Sequence, residues 1–286
     1  MSAVGIFLHH RRGRATEHAR AVAAWWEEHG WEVRLAPDDA AAAGLSHLAC
    51  PPEKLIEGLE LAVSLGGDGT MLRTVDQVGS AEVPVLGVNI GHLGYLTEVE
   101  AADLPSALER FLEGNYDIEE RMTLEVAVER GSAAAGPEPT IALNEAWLEK
   151  TVPGHTVRLA VTIGDSPWTT YAADGLIVST PTGSTAYNLS VRGPIVSPHL
   201  AALVLTPVAP HMLFDLSLVL APNEPVRIEV LDDVPANLLA DGRPVATLEG
   251  GDAVVCRTGP HNARFVTFGR RQFFRIVKTK FGLADR

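Results

Sequence analysis

The 286-residue sequence predicts an α+β chain in two parts: an α/β domain on a parallel sheet over residues 1–117, and a β-rich, sandwich-like domain over 118–268. Two changes of pattern predict this. Before residue 117, compact apolar runs alternate with stretches of helical spacing, and strands joined through crossover helices lie parallel. From about Met122 the period falls to two, with Leu124, Val126 and Val128 alternating with Glu125, Ala127 and Glu129. Short strands between turn signals imply a sandwich-like arrangement. The remaining residues, 269–286, include the amphipathic FFRIVKTKFGL and are expected to return onto the first domain.

Taken in order, residues 4–9 form an apolar strand, and 16–29 set Ala, Val and Trp at helical spacing until Gly30 stops them. Residues 31–35 alternate as a strand, Pro51 and Pro52 open a short helix expected to reach Leu59, and 61–65 is a buried strand. A helix over 70–78, a strand over 83–88 and a helix over 104–112 capped by Asp103 complete the first part. In the second part, strands are expected at 141–148, 157–163, 175–179, 203–206, 226–231 and 253–257, with GSAAAGPEP at 131–139 as a surface loop.

Composition narrows the function classes. The formal net charge of −13 argues against a generic polynucleotide binder, because phosphate-backbone affinity comes from clustered Lys and Arg. No apolar stretch approaches membrane-spanning length and the N-terminus has no long apolar signal region, so no membrane partner is expected and a cytoplasmic enzyme is. Cys50 and Cys256 lie far apart without CxxC partners and read as isolated reduced thiols.

The most informative segment is LAVSLGGDGTMLRTV at 61–75. Glycines allow close backbone approach to a ligand, and the N–H groups opening the following helix favour an anion. Asp68 in that turn is out of place if phosphate is only held. It fits if phosphate is transferred, because transfer calls for a carboxylate that accepts a hydroxyl proton or holds Mg²⁺. The competing structural reading is an aspartate that caps backbone N–H groups. A second cluster, 174–190, packs Asp174, hydroxyls, Tyr187 and Asn188 behind an apolar strand. Pro181 and Gly183 turn the chain there, and 184–190 is expected to begin a helix.

GGDGT at 66–70, NxGxLGYL at 89–96, LNE at 143–145, DG at 174–175, TPTGSTAYNLS at 180–190, TPVAPH at 206–211 and DGR at 241–243 stand in the order and spacing of NAD kinases, and the resemblance covers most of the chain. GGDG alone is shared with diacylglycerol kinases, sphingosine kinases and phosphofructokinases; LNE with TPTGSTAYNLS narrows the family. The resemblance implies transfer of a terminal phosphoryl group from ATP, or from inorganic polyphosphate, to the 2′-hydroxyl of the adenosine ribose of NAD, with Mg²⁺ carried by the donor phosphates. No protein ligand to the metal is assigned. Asp68 becomes the proton acceptor, Gly69 lies against the nucleotide, and Arg73 offsets phosphate charge.

Asn144 and Glu145 are implied to hydrogen-bond ribose hydroxyls, Asp174 to contact ribose, and Thr185, Ala186, Tyr187, Asn188, Leu189 and Ser190 to form the adenosine-binding segment. Ala209 and Arg243 are weaker carry-overs, Arg243 because the family commonly has Gln there. After His211 this chain reads MLFDLSLVLAP where the family often has a segment with Arg-Pro. Ala172 is small, which the resemblance links to looser discrimination between NAD and NADH. A homodimer or homotetramer is implied by resemblance alone. His9, His10, Arg11 and Arg12 read as a solvated loop, and His92 as a turn residue. Two rival functions are a diacylglycerol-type lipid kinase, which needs an apolar acceptor entrance, and a non-catalytic dinucleotide sensor, which has no use for an intact GGDGT.

Overall fold

Six consecutive buried residues, Ala3–Leu8, form strand β1, and that full burial is what a central strand of a sheet covered on both faces requires. The computed structural model describes residues 2–9, 13–91, 93–131, 136–231, 234–269 and 273–283. His10, Arg11, Arg12, His92 and positions 132–135 of the expected 131–139 loop therefore lie outside the described residues. The chain divides into two units, Met1–Glu120 with Ala263–Arg286, and Arg121–Asn262.

In the first unit, β1 is followed by α1 (Gly13–Glu28), β2 (Glu32–Arg34), α2 (Pro37–Ala43), α3 (Pro52–Leu55), β3 (Leu59–Gly66), α4 (Asp68–Val78), β4 (Val85–Asn89), β5 (Val99–Glu100), α5 (Leu104–Leu112) and β6 (Asp117–Arg121). The helix expected to reach Leu59 ends at Leu55, because Gly58 turns the chain at φ +66° and Leu59 already pairs with Ala3. Helix α5 has the expected bounds, but Asp103 makes no side-chain capping bond. The expected 16–29 helix starts earlier, at Gly13. Its buried face of Ala15, Ala19, Val22, Ala23 and Trp26 packs into a core with Ile6, Leu65, Val88 and Phe111.

The second unit runs β7 (Leu124–Glu129), β8 (Thr140–Ala142), β9 (Glu145–Lys150), β10 (Val157–Ile163), β11 (Ser166–Ala173), β12 (Gly175–Ser179), α6 (Tyr187–Ser190), β13 (Leu203–Val208), β14 (Leu218–Leu220), β15 (Val226–Val230), β16 (Ala236–Ala240), β17 (Arg243–Leu248) and β18 (Ala253–Thr258). Two six-stranded sheets result, in the orders β11-β10-β15-β18-β7-β8 and β14-β13-β12-β9-β16-β17. Their inner residues, among them Leu124, Leu159, Leu176, Leu205, Ile228 and Val254, share one core. Cys256 is a free thiol inside it, and burial pushes its pKa up to about 12. Cys50 is also free.

After the second unit the chain enters β19 (Ala263–Thr267), which pairs parallel with β4 at Phe265 and Val85, and ends in α7 (Phe273–Lys280). The first unit's sheet has the order β2-β1-β3-β4-β19-β6, with β5 beside β4. The pairs β1–β2, β1–β3, β3–β4 and β4–β5 are parallel. No helix among the described residues is long and apolar enough to cross a membrane.

Candidate active site

In the first unit the sheet changes direction at β1. The chain moves from β1 to β2 on one side and returns to β3 on the other, so the carboxyl ends of β1 and β3 open a crevice of the kind where α/β sheets bind ligands. Strand β3 ends at Gly66 and α4 starts at Asp68, two residues earlier than its apolar periodicity indicates. Gly67 is the N-cap, and its carbonyl accepts from the N–H groups of Thr70 and Met71 at 2.9 and 3.1 Å.

Asp68 does not use its side chain to cap this helix. Its carboxylate instead reaches the loop after β4, where Tyr95 N–H donates to Oδ2 at 2.8 Å and Leu96 N–H to Oδ1 at 2.9 Å. The carboxylate is thus anchored by loop N–H groups and is not the cap of its own helix. Gly94 makes room for it: a Cβ there would lie 2.2 Å from Oδ1. The NxGxLGYL motif therefore acts as the seat of the Asp68 side chain. Lys280 of α7 sets its ammonium 4.4 Å from the centre of the Tyr95 ring.

Arg73 lies on the inner side of α4, five residues past Asp68. Its Nη2 donates to the carbonyl of Leu8 at 2.5 Å and to Asp39 at 3.3 and 3.4 Å. Gly69 is exposed at the first turn of α4.

In the second unit the expected 141–148 strand is broken at Leu143 and Asn144. The cause is Asp241, at the tip of the β16–β17 hairpin, where Asp241 and Gly242 both have positive φ, 47° and 75°. This is the Asp-Gly hairpin turn that matches strand twist. Its carboxylate accepts from the N–H groups of Leu143, Asn144 and Glu145 at 2.7, 2.8 and 3.2 Å. Burial raises the pKa of Asp241, and the three N–H groups and Arg243 oppose that shift. The motif DGR thus works through its aspartate, and Arg243 is an exposed neighbour.

Glu145 carries the largest electrostatic anomaly among the site residues. Burial, and after it the charge of Asp241, pushes its carboxyl up to about 8, against a weaker opposing bond from Tyr187 N–H. Its Oε2 and the indole Nε1 of Trp147 are buried without a hydrogen-bond partner. These two residues share one face of β9, and the Trp147 ring meets Tyr187 at 4.4 Å between centroids and 53° between planes. An unmade buried hydrogen bond is costly, so two such atoms on one strand face mark a candidate place for a polar ligand.

The expected 184–190 helix is two pieces, a 3₁₀ turn at Gly183–Thr185 and α6, separated by Ala186 at φ −97° and ψ −127°. Gly183 is needed because a Cβ would meet the Asn144 carbonyl at 2.1 Å. Asn144 O in turn accepts from Thr180 N–H at 2.8 Å, which ties the NE turn to TPTGSTAYNLS. The Asn188 side chain points inward: Nδ2 donates to Ser184 O and Pro194 O, each at 3.1 Å, and Oδ1 accepts from Thr206 at 2.7 Å. Thr185, Ala186, Tyr187, Leu189 and Ser190 form the more exposed side.

Asp174, between β11 and β12, is held by Lys150 Nζ at 2.5 Å, a partner that the sequence does not single out. Burial raises the Tyr187 hydroxyl, and the carboxylates of Glu149, Asp174 and Glu145 add to it. Ala172 lies two residues before Asp174 on β11, its carbonyl accepting from His211 N–H at 2.7 Å, and Ala209 adopts a positive φ of 45° in the turn after β13. Among the described residues no group of three or more His, Cys, Asp or Glu side chains converges as a metal site.

The chain resembles known proteins along most of its length. Residues 4–116 match the family described as the ATP-NAD kinase N-terminal domain, and 143–268 match the ATP-NAD kinase C-terminal domain. A protein of Heliobacterium modesticaldum named NAD kinase is 42% identical over 283 residues, 98% of each chain. Another, from Syntrophotalea carbinolica and also named NAD kinase, is 37% identical over 287 residues, the whole of both chains. The crystal structure of yeast NADH kinase complexed with NADH superposes with a TM-score of 0.93 at 25% identity, over 100% of this chain and 89% of that one. An NAD kinase from Archaeoglobus fulgidus in complex with ATP shares the fold at a TM-score of 0.75 and 24% identity, over the whole of both chains.

Proposed function

The chain belongs to the NAD kinase family, a family of phosphotransferases acting on an alcohol group, and from that premise we propose that Asp68 accepts the proton of the 2′-hydroxyl of the adenosine ribose of NAD. The observation that supports this most is the anchoring of Asp68. Two backbone N–H groups fix its carboxylate, one to each oxygen, and each oxygen keeps a further lone pair for a hydroxyl. In the reaction the 2′-oxygen forms a bond to the terminal phosphorus of ATP, the bond to the bridging oxygen breaks, ADP leaves, and the hydroxyl proton passes to Asp68. A carboxylate is a weak base for a ribose hydroxyl, so proton transfer comes late, as phosphorus is already engaged.

The dinucleotide is recognised by the second unit. Asn144 and Glu145 hydrogen-bond ribose hydroxyls, and Asp174 contacts ribose from its ion pair with Lys150. Tyr187 offers ring and hydroxyl to the adenosine, together with Thr185, Ala186, Leu189 and Ser190. Asn188 shapes that segment from within. Ala209 and Arg243 border it, and Ala172 leaves room for NADH as well as NAD. Arg73 and Gly69 serve phosphate. Mg²⁺ supplies charge neutralisation on the donor phosphates; a hard cation that takes phosphate and water oxygens for most of its ligands suits a site offering carboxylate and backbone groups without a dedicated cage. Inorganic polyphosphate offers the same phosphate chemistry to these groups as ATP.

We place the enzyme in the cytoplasm and as a homodimer or homotetramer, the latter supported by the exposed apolar side chains of Leu213, Leu216 and Val219 along one stretch. Light scattering on the purified protein checks the oligomer. The activity is tested by incubating the protein with NAD and Mg²⁺ and either ATP or polyphosphate, and reading NADP with a coupled dehydrogenase. NADP is expected from the wild type, with Asp68→Asn nearly inactive while still binding NAD. No NADP with either donor, as a lipid kinase or a dinucleotide sensor would give, sinks the reading.

A further inference from the structure

We propose that Asp39 is a positioning residue for the reaction, holding the Arg73 guanidinium at the β1/β3 crevice, ready for a phosphate group before any substrate arrives. The inference rests on the reading of Arg73 as a phosphate-facing cation. Asp39 is 2% exposed and sits in α2, an element outside the sequence motifs. A buried carboxylate needs charge or hydrogen-bond partners. Among those of Asp39 are the Leu8 N–H, at 3.2 Å from Oδ2, and Arg73 Nη2, at 3.3 Å from the same oxygen.

Arg73 Nη2 also donates to Leu8 O, so the last residue of β1 is gripped at its N–H by Asp39 and at its carbonyl by Arg73. Strand end, carboxylate and guanidinium form one closed unit. It stands where the sheet reverses direction, next to the residue after β3 that opens α4 with Asp68. The contacts to Leu8 O and to both Asp39 oxygens fall on Nη2 of a planar group that carries five donors, which pins one end of the fork. Arginine loses many rotamers when it binds an anion, and ordering it in advance removes that cost from substrate binding. A purely structural ion pair would not need its cation at the mouth of the strand ends, a third exposed, as the Arg73 side chain is.

The shared chemistry of the expected ligand is a phosphate oxyanion, from the donor or from the pyrophosphate of the dinucleotide. Asp39→Asn keeps an acceptor for Leu8 N–H and removes the charge that orients Arg73. It is expected to raise KM for ATP or for NAD about tenfold, the loss of one charge-assisted hydrogen bond, with the melting temperature little changed. A rise confined to ATP identifies the donor phosphate, and one confined to NAD the pyrophosphate. Arg73→Met should raise the same KM, and adding Asp39→Asn to it should have no further effect.

Unchanged KM values for both substrates in Asp39→Asn, or an equal additional effect in the Arg73→Met background, overturn the proposal. If Asp39→Asn does not fold, the wild type without nucleotide gives the answer by NMR. The Arg73 side-chain Nε–H resonance, identified by its loss in Arg73→Met, should report a rigid group; a resonance that is averaged until ATP or NAD is added overturns it. Wild-type NADP formation is measured alongside, so a failed assignment of the activity is told apart from a failed role for Asp39.

Discussion

Gly94 and Asp68 occupy each other's space: a Cβ on Gly94 would fall 2.2 Å from Oδ1 of Asp68 and 2.9 Å from its carboxyl carbon. The glycine before Tyr95 is therefore part of how the carboxylate is aimed, although it carries no functional group.

Gly94→Ala should push the Asp68 carboxylate out of its seat on the Tyr95 and Leu96 N–H groups. A displacement of about 1 Å in a reacting group costs on the order of a hundredfold in rate. The expected result is a large fall in kcat with KM for NAD nearly unchanged, measured in the coupled dehydrogenase assay. Wild-type turnover in this variant would mean that the observed position of Asp68 is not the one chemistry uses.

Glu145 gives a pH signature. Its carboxyl titrates at about 8 in the folded protein against an ordinary 4.5, so between those values the unfolded chain gives up a proton that the folded chain keeps. Stability from this group therefore falls as pH rises through that window and is lowest above it, by an amount on the order of a few kcal/mol. Glu145→Gln removes the dependence. In urea unfolding without ligand, the variant should be more stable than wild type at the alkaline end of the window and equal to it at the acid end, while its KM for NAD rises. A parallel pH dependence in both proteins would contradict this.

Asp241→Ala should be costly in another way. Three N–H groups lose their acceptor together, each worth about 1–3 kcal/mol if left buried and unpaired. We expect a lowered melting temperature and weaker NAD binding by calorimetry, because the NE turn no longer has a template. Asp241→Asn, which keeps one acceptor oxygen, should fall between the two.

Lys150→Met leaves Asp174 without its ammonium partner. Both side chains are partly exposed, so the stability change should be under about 1 kcal/mol. The KM for NAD should rise several-fold if the ion pair orients Asp174 toward ribose. An unchanged KM would reduce the pair to a surface contact.

The parallel sheet was readable in the sequence because its strands are nearly continuous apolar runs, and GGDGT was readable because glycine and aspartate in a strand-to-helix turn have few uses. The β16–β17 hairpin was harder. Ala236–Ala240 buries only alternate small or apolar residues, and Arg243–Leu248 fully buries only Leu248, so neither reads as a strong run. Ser166–Ala173 is an edge strand, exposed over most of its first five residues, and escapes the same way. Helix α2 looks in sequence like a simple Ala run after Pro37. Asp39, Gly94 and Asp241 share a further difficulty. Each acts on residues distant in the chain, 31 positions away for Asp39 on Leu8 and 96 or more for Asp241 on the NE turn, and only the folded sheet ends bring them there.

The return of the chain end has a consequence for biosynthesis. Strand β19 stands between β4 and β6, yet it is made long after β6, once the whole of Arg121–Asn262 has been translated. The first unit's sheet therefore has a gap until Ala263–Thr267 is made, with the edges of β4 and β6 awaiting a strand, whereas the contiguous second unit can complete both of its sheets first. On a ribosome the order of folding should thus invert the order of the sequence: the later half closes before the half that carries Asp68.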